Sequence, residues 1–97
     1  MPHCSEFAVF SVIRENQKRV IELSESLFKE MNNEREVLIS QRILRKTDND
    51  EEICWHLVWL NEEVVEENNK NWSNFPSSAE LESLVGERLY YGHFLVM

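Results

Sequence analysis

The stretch Ile53-Cys-Trp-His-Leu-Val-Trp-Leu60, ICWHLVWL, is apolar at every position except His56. It is bounded by the turn-rich TDNDEE on one side and by Asn61 on the other, and its eight residues are a strand's length rather than a helix's. Side chains alternate across a strand, so Ile53, Trp55, Leu57 and Trp59 share one face while Cys54, His56, Val58 and Leu60 share the other. A strand with one wet face alternates apolar with polar residues. This one does not, and both of its faces are expected to be covered.

Phe7-Ala-Val-Phe-Ser-Val-Ile13 is a second β-branched and aromatic run, again apolar on both faces. The period then changes to three and four residues at Val20, Leu23, Leu27 and Met31, which predicts a helix with one buried stripe, started by Asn16 and ended by Asn32 and Asn33. Val37 to Lys46 reads as a strand forming a hairpin with the opening stretch. Asn61 is placed as the N-cap of a second helix, with Glu62 and Glu63 in its first turn and a stripe of Val64, Val65, Asn68, Asn69 and Trp72. Pro76 interrupts that helix. Ser77 and Glu80 predict a capping box for a short further piece, which Gly86 closes in the left-handed region. Leu89 to Met97 is the last strand, in which Gly92 marks a bulge or a close backbone approach.

The order strand, helix, strand, strand, helix, strand predicts an α+β fold, a ferredoxin-like βαββαβ antiparallel sheet. Its first and third strands are central and its helices lie on one face. The chain of 97 residues is read as a single domain, residues 1–97, and no element remains to cover the other face. A second copy of the sheet is the simplest cover, so a homodimer is expected. The last strand is also a sheet edge that a partner could protect.

Composition excludes several partners. Eighteen acidic against ten basic residues give a net charge of −8, which repels phosphate backbones and anionic lipid surfaces, so no nucleic acid and no membrane are expected. The longest apolar run is far short of the roughly 20 residues that span a bilayer. The start MPHCSEF lacks a basic and then apolar leader, which predicts a cytoplasmic protein. Cys4 and Cys54 are no disulfide framework and read as free thiols.

A tryptophan closing the third strand just before an Asn-capped acidic helix, Trp59-Leu-Asn-Glu-Glu63 continued by Phe75, resembles the antibiotic biosynthesis monooxygenase-like superfamily of dimeric α/β-barrel proteins. The resemblance covers almost the whole chain. It implies that two sheets pair as a dimeric α/β barrel, with a small-molecule pocket between each sheet and its helices. It also implies that Trp59 lines that pocket and meets an aromatic substrate, without a metal or dissociable cofactor. Where such oxygenases carry a helix histidine, an asparagine and a pocket tyrosine, this chain has Asn68, Trp55 and Val65.

Candidate site residues follow from the pattern. Trp59, Trp72 and Phe75 converge on the seam between sheet and second helix, where Pro76 leaves room for a ligand, and Trp55 and Tyr91 complete the ligand-binding set. Asn68 or His93 would supply the polar, catalytic contact. His56 is a secondary catalytic candidate; on its two-sided strand it reads either as a buried neutral core histidine or as a general acid or base at a dimer-lined cavity. The alternation of the last strand does not assign a face to His93. His56 and His93 lie two strand spacings apart, about 10 Å, too far for two ligands of one zinc, and no bound metal is expected. No nucleophile elbow, phosphate loop or dinucleotide fingerprint is present. Two functions fit: a protein that binds a small aromatic or apolar molecule, with monooxygenase-like activity, or a non-catalytic homodimer acting through partner binding.

Overall fold

The strands form the sheet in the expected order. In the computed structural model, which describes residues 2–97, β1 (Cys4–Ser11), α1 (Arg14–Met31), β2 (Leu38–Arg45), β3 (Glu52–Trp59), α2 (Glu62–Asn71), α3 (Ser78–Leu84) and β4 (Arg88–Leu95) follow in order, with a 3-10 turn at Trp72–Asn74. The four antiparallel strands are ordered β2-β3-β1-β4, so β1 and β3 are central. This is an α+β ferredoxin-like fold with the helices on one face.

Cys4, Ala8 and Phe10 of β1 and Ile53, Trp55, Leu57 and Trp59 of β3 are buried together with the α1 stripe of Val20, Leu23, Leu27, Phe28 and Met31. The Trp55 ring meets Phe28 and Phe10 edge-on at 5.0 and 5.5 Å. Its indole N–H donates to Ser24 Oγ at 3.1 Å, which satisfies the polar edge of a ring otherwise surrounded by apolar groups. Asn32, directly after α1, accepts from the backbone N–H groups of Val37 and Leu38 and donates to the Leu38 carbonyl, fixing the helix end to the start of β2.

The opposite face carries Phe7 and Val9 of β1, Cys54, His56 and Val58 of β3, and Tyr90 and Phe94 of β4. Phe7 is half-buried there, stacked on the His56 ring at 4.5 Å and edge-on to Phe94 at 5.9 Å.

Several local expectations are corrected. α1 begins at Arg14, with extended Ile13 as its N-cap; Asn16 lies inside the helix and spends its side chain on the Leu84 carbonyl. Asn61 does cap α2, accepting from Val64 N–H at 3.1 Å. The Ser77 and Glu80 capping box does not form, because Ser77 gives both its N–H and its hydroxyl to Glu30 on α1, at 3.0 and 2.6 Å, and Glu80 pairs with Arg19. Gly86 has no positive φ; it is needed for a close approach to Ser11, whose carbonyl accepts its N–H. The bulge in β4 falls at Leu89, between the partners of Val9 and Phe10, and Gly92 instead leaves room for the Tyr90 ring. None of the β4 residues joins the buried core, and β4 is a sheet edge as expected. The helices pack over the other three strands and leave this edge open.

Candidate functional site

The alternation that buries Cys4, Ala8 and Phe10 also buries an acid. Glu6 is only 4% exposed, and strand pairing sets it between Leu57 of β3 and His93 of β4 on the helix side of the sheet. Glu6 Oε1 accepts from the Trp59 indole N–H at 3.2 Å and stands 2.9 Å from His93 Nε2. Among the described residues no hydrogen bond reaches Oε2. Burial pushes the Glu6 carboxyl above its ordinary range, against the opposing pull of His93, Trp59 and Arg88.

In front of this carboxyl lies a cavity of about 600 Å³ between the sheet and the helix layer of α2 and α3. Trp55, Trp59, Asn68, Trp72 and Tyr91, all anticipated from sequence, line it with Glu6, Asn69 and Arg88. Asn68 is 8% exposed and turns inward from the α2 stripe. Trp72, at the 3-10 turn, donates to Glu82 Oε1 on α3 at 2.5 Å, so the two elements meet across the cavity rim. The Arg88 guanidinium lies 4.8 Å from the Tyr91 ring centre, and burial raises the Tyr91 phenol pKa, assisted by the nearby Glu6 charge.

The remaining candidates fall elsewhere. His93 faces the helix side but stands behind Glu6 and does not line the cavity. His56 is on the opposite face, stacked on Phe7, so no single site on this chain can hold both histidines. Phe75 and Pro76 line a separate open groove of about 810 Å³ shared with Asn68, because the 3-10 turn carries Phe75 away from Trp59. Glu6 escapes a reading that starts the first apolar run at Phe7. Extending its alternation backwards by one residue places an acid on the face of Ala8 and Phe10, and that was the available signal.

A buried, raised carboxyl has a definite stability consequence. The fold prefers the protonated form of Glu6, so this group's contribution is complete below the ordinary carboxylate pKa and is lost as pH rises through the raised one. Glu6→Gln removes the charge while keeping an acceptor for Trp59. The difference in Tm between variant and native chain should therefore grow in the variant's favour as pH rises above the ordinary carboxylate range, about pH 4. A gap that is constant or closes with rising pH in thermal melts would contradict the buried-carboxyl assignment.

No protein-family model matches the chain, and no curated protein matches it. Solved structures do. A conserved protein of unknown function from Bacteroides thetaiotaomicron, described as a possible oxidoreductase, superposes with a TM-score of 0.77 at 16% identity over 98% of each chain. A candidate antibiotic biosynthesis monooxygenase from Bordetella bronchiseptica gives 0.75 at 11% identity, over 100% of this chain and 99% of that one. A cofactor-independent oxygenase from Streptomyces nogalater gives 0.72 at 13% identity, over 100% and 93%. The fold is therefore that of the antibiotic biosynthesis monooxygenase-like proteins, as the Trp59 pattern anticipated. Among the described residues no helix is long and apolar enough to cross a membrane.

Proposed function

We propose that this chain, built on the antibiotic biosynthesis monooxygenase-like fold, is a homodimeric protein that binds a small aromatic or apolar molecule and transforms it without a dissociable cofactor. The observation that carries this reading is the cavity of about 600 Å³ walled by Trp55, Trp59 and Trp72, with Glu6 and Asn68 as polar points among apolar surface. Such walls suit a flat, largely apolar ligand, and the few polar groups orient it. The reaction is monooxygenase-like in this reading, supported by the structural likeness to a cofactor-independent oxygenase. The cavity favours this over a purely structural dimer, whose aromatic residues would simply fill the core.

Association through the open sheet face is supported by its composition. Phe7, Val58, His56 and Phe94 form a mostly apolar surface that no element among the described residues covers. A second sheet would cover it and close the barrel.

A screen of small aromatic compounds by quenching of tryptophan fluorescence tests the pocket. Trp59→Phe and Asn68→Ala should each weaken the hits by up to about tenfold, the worth of one hydrogen bond or a poorer ring contact. If both variants bind every hit as the native chain does, the site lies elsewhere.

A further inference from the structure

Resting on that pocket reading, we propose that Glu6, positioned by His93, removes and returns a proton at a carbon next to a carbonyl group, so that the cavity takes small apolar ketones with acidic α-hydrogens and exchanges those hydrogens or, in an unsaturated ketone, moves the double bond. The activity is a proton transfer and needs no co-reactant.

Three features of the site point to this chemistry. The two Glu6 oxygens are differentiated: Oε1 is held by the Trp59 N–H and by His93 Nε2, while Oε2 takes no hydrogen bond among the described residues and belongs to a side chain that lines the cavity. The other carboxylate on the lining, Glu82, is exposed at the rim and engaged by Trp72, so Glu6 is the acid set against the apolar walls. Tyr91 and Asn69 offer O–H and N–H donors to the same cavity, beside the Arg88 cation, and an enolate oxygen requires such partners. The burial that raises the Glu6 carboxyl also makes it a better base for a weak carbon acid near neutral pH.

Glu6 Oε2 takes the α-proton, the C–H electron pair becomes the enolate double bond, and the carbonyl π pair moves to oxygen, where Tyr91 or Asn69 stabilises it. The protonated Glu6 then returns a proton to the same carbon or, in an unsaturated ketone, to the far end of the allylic system. Nothing is oxidised or reduced. His93 has a quarter of its side chain exposed against 6% for Glu6, so it also gives the buried acid a path for exchange with water.

The test uses 2-tetralone and 2-indanone as probes with the full-length protein in D2O, following loss of the α-proton signals by NMR and binding by fluorescence quenching. The native chain should exchange the α-protons well above the buffer rate, and Glu6→Gln should lose about a hundredfold or more of that rate while still binding. His93→Gln, whose amide can still bond Oε1, should retain exchange with an altered pH profile; a profile identical to the native one would remove His93 from the proposal. Binding by the native chain with exchange only at the buffer rate, or native-like exchange by Glu6→Gln, overturns the proton-transfer inference and leaves the pocket standing. Absence of binding of either ketone to the native chain overturns the pocket reading together with the inference built on it.

Discussion

A Trp59→Ala chain should lose about 3–5 kcal/mol of folding free energy, the range measured when a buried aromatic side chain is truncated to alanine. Trp59 is 1% exposed, ends the central strand β3, and packs where the sheet meets α2. Truncation opens a cavity in that seam and also takes from Glu6 its indole donor, leaving a buried carboxyl with His93 as its remaining partner. A domain of this kind is stable by only about 5–15 kcal/mol, so the loss is a large fraction of the total. Urea unfolding at one fixed protein concentration measures it, since the midpoint of a dimer depends on concentration. A loss below about 1 kcal/mol, the centre of the range for point substitutions in general, would show that Trp59 is not a packed core residue.

The second large effect concerns assembly. Phe7→Asp should weaken self-association by about a thousandfold or more, because each copy would bring an unpaired carboxylate into an apolar interface at a cost of several kcal/mol. Phe7 stands between His56 and Phe94 at the middle of the open face and is only half-buried in the single chain, so the folded protomer should tolerate the change far better than the interface does. Lys18→Gln, on the exposed side of α1, serves as the control that leaves association intact. Sedimentation decides the matter: a native chain that is a monodisperse monomer at micromolar concentration contradicts the homodimer, and a Phe7→Asp chain that dimerises like the native one moves the interface off this face.

Glu6 shows how the site was partly legible and partly not. The tryptophans could be placed because strand alternation and helical spacing are periodic, and a period of two fixes which residues share a face. The pairing of Glu6 with His93 is a different kind of fact. The two residues are 87 positions apart, and they meet only because β4 returns beside β1 in one particular register. A bulge at Leu89 adjusts that register, and nothing in the alternation of β4 announces it. The Ser77 capping box failed for a related reason: its local signal was sound, but Glu30 on α1 came close enough to take both donors of Ser77.

The apolar strands at β1 and β3, the helical stripes and the turn residues between them were enough by themselves to determine the α+β order, the central strands and which residues of ICWHLVWL share a face. These are local properties, set by backbone geometry and by which side chains leave water. Tertiary structure alone decided that His56 and His93 look to opposite faces, that Phe75 leaves the pocket, and that a buried carboxylate sits against Trp59. Each depends on distant segments meeting at defined distances, and the free energy of a buried charge is set by those meetings rather than by its neighbours in sequence.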